Sequence, residues 1–280
     1  MHPYIELGNL KLQLYYPMFF IGFAAALLIS YVLRERFGIN KKDIFGAGFF
    51  GLIGLYIGAK LFYFFTKLPE VFGDFTGFKT RLDADFSGTL DYLLGGMVFY
   101  GGLLGFLFGM WVYARKNGLT FLKFADIAAP GFPLAHAFGR AGCFLNGCCY
   151  GMEYHGPLAL HYPADALDKE LGAVPRFPVQ LLEAGLNIIC FAVLMYLVFK
   201  LYPEQSRSDS SQTGRPYGRL LGIYLSYYII VRFILEFFRG DKIRGMIGVL
   251  STSQVISLLL IPAAVWLLII THSADDRKSG

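Results

Sequence analysis

Long apolar blocks separated by short polar segments dominate the chain. Each block is close to the roughly 20 residues that an α-helix needs to cross the hydrocarbon core of a bilayer. The pattern predicts an all-α, polytopic membrane protein with about seven transmembrane helices, and a single integral membrane domain over residues 1–280. The blocks lie at about residues 17–33, 44–66, 92–114, 125–145, 180–200, 219–238 and 249–271.

The composition agrees with this prediction. The chain is 55% hydrophobic and only 16% charged, whereas soluble domains usually have about 25% charged residues. The net charge of +5 comes mostly from short loops between the blocks, so it indicates orientation in a membrane rather than nucleic-acid binding. The first ten residues lack the features of a cleavable signal peptide, so we expect the first block to be retained.

The distribution of charge predicts the orientation. Basic residues follow the first, third and fifth blocks and occur in the tail, which places the N-terminus outside and the C-terminus in the cytoplasm. Residues 67–91 carry five acidic and three basic residues and are expected to form an external loop. Segment 146–178 is polar and proline-rich, and we expect an external re-entrant element there. Residues 206–214, SRSDSSQTG, indicate a flexible cytoplasmic linker, and residues 5–15 an external arm or strand.

Arginines within apolar helices are the first candidate site residues. Arg140 lies in the segment HAFGRAGCFLNGCCYG, and Arg232, Glu236 and Arg239 are spaced so that the carboxylate faces both arginines of its helix. Charged groups in such helices point into the bundle. One interpretation is a structural ion network, and the other is a phosphate site in which Glu236 orients the guanidinium groups. Tyr228 lies one turn before Arg232 on the same face.

Three cysteines follow Arg140 closely in the sequence. Cys143, Cys148 and Cys149 leave three interpretations open: a disulfide, a reactive or redox thiol, and small packing residues. Their spacing matches no standard zinc pattern, so we expect no metal there. No cofactor is expected.

Glycines cluster in the second and third blocks. Gly54 and Gly58 have near-helical spacing, and the third block contains GGMVFYGGLLG. Small residues at such spacing are typical of close helix packing in membranes. A compatible interpretation is that Gly101 and Gly102 leave room for a substrate beside Tyr100.

Taken together, these motifs resemble those of the prolipoprotein diacylglyceryl transferase family. The resemblance implies a multi-pass enzyme of the bacterial cytoplasmic (inner) membrane without a cofactor. Such an enzyme transfers the diacylglyceryl group of phosphatidylglycerol to the cysteine thiol of a prolipoprotein signal peptide and releases glycerol phosphate. Its partners are therefore this lipid, the prolipoprotein and the bilayer, with no nucleic acid. The similar segments are YYPMFFIGF at 15–23, GGMVFYGGLLG at 95–105, ADIAAPGFPLAHAFGRAGCFLNGCCYG at 125–151, PRFPVQLLE at 175–183, VRFILEFFRGD at 231–241 and STSQVISLLL at 251–260.

The resemblance also implies roles for individual residues. The catalytic candidates are Arg140, Arg232, Tyr100 and Glu236. The substrate-binding candidates are Tyr15, Gly101, Gly102, Gly139, Asn146, Gly151, Tyr228 and Arg239. Further polar groups at span ends are Lys60, Arg176, Gln180 and Glu183.

The chain departs from the family pattern at several positions. Tyr100 stands where the family usually has His, Cys143 and Cys148 stand where it usually has Asn and Glu, and Phe177 replaces a His after Pro-Arg. The arginine framework is retained, whereas two positions proposed to handle protons differ.

Two other functions are compatible with these departures. One is a related membrane lipid transferase that uses Cys143 or Cys148 as its own nucleophile on a different acceptor. The other is a non-catalytic phospholipid-binding protein. Replacing the three clustered cysteines tests the first, and binding of lipid without product formation would indicate the second.

Overall fold

The computed structural model describes residues 4–7, 10–96, 98–162, 174–203, 217–240 and 246–279, so the predicted linker at 206–214 lies outside the described residues. Helices dominate the described chain, as predicted. The helices are α1 Tyr15–Leu33, α2 Lys41–Gly73, α3 Phe75–Ala84, α4 Phe86–Leu94, α5 Phe99–Lys116, α6 Phe121–Ala128, α7 Gly131–Asn146, α8 Val179–Leu201, α9 Arg219–Leu235 with a 3₁₀ turn Glu236–Phe238, and α10 Thr252–Ser279.

Five of these helices are long and apolar enough to cross a membrane, namely α1, α2, α8, α9 with its 3₁₀ turn, and α10. The structure therefore confirms a helical, multi-pass membrane protein. The predicted fourth block is divided into α6 and α7 at Ala129 and Pro130, since proline does not continue a helix from its N-terminal side. Helix α7 has 16 residues and is about 24 Å long, shorter than the hydrocarbon core of a typical bilayer.

The expected external loop at 67–91 has more structure than predicted. Residues 67–91 are helical rather than a loop, because α2 continues to Gly73 and α3 and α4 follow it. The side chains of Asp74 and Asp85 accept hydrogen bonds from the backbone N–H groups of Gly77 and Gly88, both at 2.9 Å, and so cap α3 and α4. The strand predicted as one alternative for residues 5–15 is present, since residues 4–7 and 10–13 form two paired strands.

The strands are short and antiparallel. Strand β1, Tyr4–Leu7, pairs with β2, Leu10–Gln13, immediately before α1. Strand β3, Met246–Ile247, pairs with β4, Leu250–Ser251, immediately before α10. These hairpins are the small departure from the predicted all-α class.

The chain forms two compact units, one of residues 1–38 and 125–280 and the other of residues 39–124. In the first unit, α7 packs against α1 and α8, and α9 packs against α8 and α10. The approach of α1 and α7 is close, because a Cβ added at Gly22 would lie 2.9 Å from the Ala135 carbonyl oxygen. This unit holds α7, α8 and α9, which carry the predicted arginines.

Glycines bring α2 and α5 together in the second unit. A Cβ at Gly54 would strike the carbonyl oxygen of Gly105, and one at Gly58 would strike that of Gly101. The packing interpretation is therefore confirmed at Gly101. Gly102 has only ordinary van der Waals neighbours, the nearest being Leu55 at 3.4 Å, so its position can accept a side chain.

Asp126 fixes the start of α9 in the first unit. This carboxylate is fully buried, and it accepts hydrogen bonds from the Gly218 N–H at 2.8 Å, the Leu221 N–H at 3.0 Å and the Tyr202 hydroxyl at 2.9 Å. A negative charge at a helix N-terminus is favoured by the free N–H groups and the helix dipole. Asp126 thereby joins α6, the end of α8 and the beginning of α9.

A capping box begins α10. The Ser251 Oγ accepts a hydrogen bond from the Gln254 N–H at 3.2 Å, and the Gln254 Oε1 accepts one from the Ser251 N–H at 3.0 Å. The sequence STSQ therefore caps the helix.

Candidate active site

Helix α7 carries the first arginine of the site. His136 and Arg140 are four residues apart and lie on the same face of the helix. A Cβ added at Gly139 would meet no atom within 4 Å among the described residues, so the space next to Arg140 is open. At Gly142 an added Cβ would instead lie 3.1 Å from Met18 on α1.

Glu183 on α8 is the common partner of three side chains. Its Oε2 lies 3.0 Å from Arg140 Nε and 3.7 Å from Arg232 Nη1, and its Oε1 lies 3.3 Å from His136 Nε2. The residue is only 3% exposed. A carboxylate this deeply buried is retained when positive groups compensate for its lost hydration. Glu183 therefore ties α7 and α9 to α8.

The predicted ladder on α9 forms as expected. Arg232 Nη2 lies 2.8 Å from Glu236 Oε2, and the same oxygen lies 3.9 Å from Arg239 Nη1. Glu236 is 2% exposed, and it lies in the 3₁₀ turn that ends the helix. The turn tightens the backbone between Glu236 and Arg239 while keeping both side chains on one side.

Arg232 keeps hydrogen-bonding capacity for a ligand. Its Nη2 also donates to Ser253 Oγ at 2.9 Å. Its Nη1, in contrast, makes no hydrogen bond within the described part of the chain, and its contact with Glu183 at 3.7 Å is too long for one. A buried donor without a partner costs about 1–3 kcal/mol. An anionic oxygen placed beside Nη1 would remove that cost.

We call the connected group the arginine cluster. Among the described residues, its three guanidinium groups face two carboxylates, so with a neutral imidazole these six residues carry a formal charge of +1. In a site with little water, such an excess attracts a bound anion strongly. The cluster consists of His136, Arg140, Glu183, Arg232, Glu236 and Arg239.

The imidazole of His136 has two competing partners at the same nitrogen. Arg140 Nε can donate to His136 Nε2 at 3.3 Å, and that nitrogen also lies 3.3 Å from the Glu183 carboxylate. A nitrogen with a lone pair accepts from the guanidinium, whereas a protonated nitrogen donates to the carboxylate. Taking up a proton thus exchanges Arg140 for Glu183 as the hydrogen-bond partner of this nitrogen.

A short extended segment after α7 positions Arg239. Gly151 forms a β-bridge with Arg239, and the Met152 N–H donates to the Phe238 carbonyl at 2.9 Å. A Cβ at Gly151 would strike the Phe177 carbonyl, so only glycine fits between the backbone at Phe177 and the backbone at Arg239. Within the described part of the expected re-entrant element, residues 147–162 and 174–178, the short stretch around Gly151 is therefore paired with the end of α9.

The three clustered cysteines converge at the end of α7. Gly147 has a φ of 69° and ends the helix, and the Cys148 N–H donates to the Cys143 carbonyl at 3.0 Å. This hydrogen bond is typical of a Schellman motif, in which the side chains of these two positions meet. Cys149 has a φ of 58°, and the three sulfur atoms lie within 4.8 Å of one another. All four cysteines of the chain are free thiols in the structure.

The thiols after α7 differ in acidity. The pKa of Cys149 is lowered by hydrogen bonds with Cys143 and Cys148 and by the positive charges of Arg140 and Arg239. The pKa of Cys148 is raised, because its hydrogen bonds with the other two sulfurs favour the protonated thiol. Cys149 is therefore the first of the two to ionise.

The structure brings most of the predicted polar residues together. Arg140, Arg232, Glu236 and Arg239 lie in one cluster, and the ring of Tyr228 is centred 5.8 Å from that of His136. Asn146, the last residue of α7, is buried, and its Oδ1 has no hydrogen-bond partner among the described residues.

Of the other predicted residues, Tyr15 lies near Arg140 and the clustered cysteines, two glycines belong to the other unit, and Tyr100 lacks a described side chain. Tyr15 begins α1, and its backbone packs against Gly142, where an added Cβ would lie 3.4 Å from the Tyr15 Cα. Gly101 and Gly102 belong to the unit of residues 39–124. The side chain of Tyr100 lies outside the described residues, so its catalytic role stays a prediction.

Sequence reasoning missed the central role of two residues. Glu183 was expected only as a polar group at a span end, and His136 was assigned no role in the anion site. The four-residue spacing of His136 and Arg140 was a usable signal for a shared helix face. The position of Glu183 between two arginines depends on helix packing, which the sequence pattern does not give.

The helices and the arginine cluster define a multi-pass membrane protein with buried, paired arginine side chains. The family model described as prolipoprotein diacylglyceryl transferase matches residues 3–270. The chain therefore belongs to the prolipoprotein diacylglyceryl transferase family, and the resemblance indicated by the motifs is confirmed.

Curated relatives that match this chain over most of their length are named as transferases of this family. Phosphatidylglycerol–prolipoprotein diacylglyceryl transferase 2 of Clostridium perfringens is 30% identical, over 98% of this chain and 97% of the relative. The transferase of Clostridium tetani is 30% identical over 91% and 92%. That of Legionella pneumophila strain Lens is 32% identical over 94% and 93%.

Proposed function

We propose that this protein transfers the diacylglyceryl group of phosphatidylglycerol to the cysteine thiol of a prolipoprotein signal peptide. The sulfur forms a thioether with the glycerol carbon, and the carbon–oxygen bond to the phosphate breaks, so that glycerol phosphate leaves. The excess positive charge of the buried arginine cluster is the observation that carries the proposal. The names of the relatives supply both substrates, phosphatidylglycerol and the prolipoprotein.

Arg140 and Arg232 bind the phosphate in this proposal. Negative charge grows on the leaving phosphate in the transition state, and preorganised donors in a dry site stabilise such charge best. Losing one donor of this kind typically costs about 2.7–4 kcal/mol in the barrier. Glu183 supports Arg140 at 3.0 Å, and Glu236 supports Arg232 at 2.8 Å. The two carboxylates orient these guanidinium groups, and the third guanidinium, that of Arg239, gives the cluster its excess positive charge among the described residues.

The acceptor thiol must lose a proton before it attacks. A free thiol with a pKa near 8.5 needs about 2 kcal/mol to ionise at pH 7, an amount that a nearby guanidinium can offset. His136 takes this proton, because its Nε2 lies beside Arg140 and can pass its hydrogen bond to Glu183 once protonated. Tyr100 donates a hydrogen bond to the substrate or relays a proton, as its place before the paired glycines of the family's motif suggests.

The protein works in the cytoplasmic (inner) membrane of a bacterium. Helix α5 and the α6–α7 pair add two crossings to the five long apolar helices, which gives seven spans with the N-terminus outside and the C-terminus inside. The lipid and the signal peptide enter laterally from the bilayer. Glycine at 139 leaves space beside Arg140 for the headgroup.

Purified full-length protein with phosphatidylglycerol and a lipobox peptide tests the proposal. The wild type should give thioether product, and Arg140→Ala should abolish it. Arg34→Ala is the matched control. Arg34 follows the C-terminal end of α1, and its Nη2 lies 2.7 Å from Oε1 of the exposed Glu35. Full activity of Arg140→Ala would refute the phosphate role. Lipid binding without product by the wild type, under conditions in which a relative is active, would instead identify a lipid-binding protein.

A further inference from the structure

The sulfur atoms of Cys143, Cys148 and Cys149 form a group that the transfer reaction does not use. We call it the thiol triad. The helix end creates it, because the Schellman motif brings residues 143 and 148 together and the left-handed backbone at Cys149 returns its side chain to them. A non-glycine residue rarely adopts a positive φ. The chain therefore holds all three thiols in one place.

The spacing of the triad fits a single metal ion. The three sulfurs lie within 4.8 Å of one another. Thiolates bind Zn²⁺ at about 2.3 Å, which places neighbouring sulfurs about 3.7–4.0 Å apart. A contraction of about 1 Å or less at each pair would bring the triad to that geometry, and this is within the range of rotamer adjustment.

Charge and access also fit a cation held by thiolates. Three thiolates around a monovalent or divalent ion leave a net negative charge, and the guanidinium groups of Arg140 and Arg239 lie close enough to interact with Cys149. Cys143 is buried, whereas Cys148 and Cys149 are only partly buried. An ion can therefore reach the triad from one side and keep a fourth position for water or another ligand.

A disulfide uses the triad less well than a metal does. It would join two of the sulfurs and leave the third unpaired. Cys148 and Cys149 are adjacent, so their Cα atoms are about 3.8 Å apart, below the 4.4–6.8 Å range usual for disulfides. All three thiols are free in the structure.

We propose that Cys143, Cys148 and Cys149 bind one thiophilic d¹⁰ cation, of the class of Zn²⁺ or Cu⁺. On binding, each S–H bond releases its proton to solvent, each sulfur forms a bond to the metal, and the metal keeps its oxidation state. The site goes beyond the transfer reaction and does not depend on it. Binding fixes the loop after α7 to the helix turn that follows Arg140.

The test uses full-length protein in detergent, reduced and stripped of metal with a chelator, and then titrated with Zn²⁺. We expect one Zn²⁺ per chain. Cys148→Ser and Cys149→Ser should each weaken binding at least about 100-fold, since even indirect supports of a metal site are worth 10–100-fold. Cys190→Ser is the matched control, because this buried cysteine lies on α8 and away from the triad. It should bind like the wild type.

Two results would overturn the proposal. One is wild-type protein that retains no more Zn²⁺ than the triple serine variant. The other is Co²⁺ binding to the wild type without sulfur-to-metal charge-transfer absorption, which would show that the thiols are not ligands. This measurement uses only the wild type, so it does not depend on the folding of a variant. The intact mass after mild oxidation tests for a disulfide. If both the wild type and Cys190→Ser lose two hydrogens, and added Zn²⁺ does not prevent this loss, the triad forms a disulfide instead of a metal site.

Discussion

Asp126 and Glu183 are two buried carboxylates in the same unit, and they have opposite surroundings. Asp126 is satisfied by neutral donors, two backbone N–H groups and one hydroxyl, all within 3.0 Å. Glu183 faces two guanidinium groups and an imidazole at 3.0–3.7 Å. The first set fulfils the hydrogen-bonding needs of its carboxylate. The second leaves positive charge to spare.

This difference distinguishes a structural carboxylate from a functional one. Neutral donors that converge on one anion hold three chain segments together and leave nothing for a ligand. Charged donors that outnumber their carboxylates are poised for another anion. Burial alone would rank the two residues equally, because Asp126 is 0% and Glu183 3% exposed. The partners of Glu183, rather than its burial, are the reason that we propose a role for it in the reaction.

The largest effect is expected for Glu183→Gln. The amide keeps the shape but removes the charge that orients Arg140 and stabilises a protonated His136. We expect kcat/KM to fall by about 10²–10³-fold, as for loss of a preorganised electrostatic group. The measurement is the transfer assay with phosphatidylglycerol and peptide, with thermal unfolding followed in parallel. Wild-type kinetics in this variant would show that Glu183, like Asp126, has only a structural role.

The next effect is expected for His136→Gln. Glutamine retains a hydrogen-bonding side chain but cannot accept a proton at neutral pH, so we expect a loss of about 100-fold or more in kcat. The wild-type rate should fall as pH decreases and the imidazole becomes protonated, because a protonated base cannot accept the thiol proton. This acid limb should disappear in the variant.

Tyr100→Phe is the comparison for His136→Gln. It should reduce the rate less and keep the acid limb of the pH profile. The reverse result, in which Tyr100→Phe removes the acid limb, would assign the proton transfer to Tyr100.

Asp126→Asn should lower stability while sparing the chemistry. The new amide NH₂ faces donors, so at least one buried donor loses its partner, at a cost of about 1–3 kcal/mol. We expect a lower thermal midpoint in detergent and nearly unchanged kcat for the protein that remains folded. A loss of kcat as large as that of Glu183→Gln, with an unchanged midpoint, would contradict the structural role.

The smallest effect is expected for Tyr202→Phe. The variant removes one hydrogen bond to Asp126 and keeps the ring that stacks on Phe37 with centroids 4.4 Å apart. The remaining two N–H donors still satisfy the carboxylate, so we expect a loss of about 0.5–1.5 kcal/mol. Chemical denaturation measures this loss in the free energy of unfolding. In protein that already carries Asp126→Asn, adding Tyr202→Phe should change the free energy of unfolding very little. Additive losses would show that the two residues act separately.

Much of the fold could be predicted from the pattern of apolar blocks. Block length and composition gave the membrane class and the positions of α1, α2, α8, α9 and α10, because the bilayer imposes a fixed span. The break between α6 and α7 was missed, since both halves are apolar and only Pro130 marks the boundary. The helices within 67–91 were missed because their charge suggested a loop.

The candidate site was predictable where it depends on one helix. Arg232, Glu236 and Arg239 follow helical spacing, so their ladder could be derived from the sequence. Glu183 could not be placed in this way, because its partners come from two other helices. The thiol triad was partly encoded, since glycine at 147 after a helix predicts that residues 143 and 148 meet.

The glycine contacts between α2 and α5 restrict how this chain can evolve. At Gly54 and Gly105, and again at Gly58 and Gly101, the atom that blocks a new methyl group is the opposite backbone carbonyl. A smaller side chain on the partner cannot relieve this collision, because the partner has no side chain to shorten. No second mutation at the facing position can therefore rescue the first. These four positions are closed to single-step change, whereas Gly102, one residue away, remains free to vary.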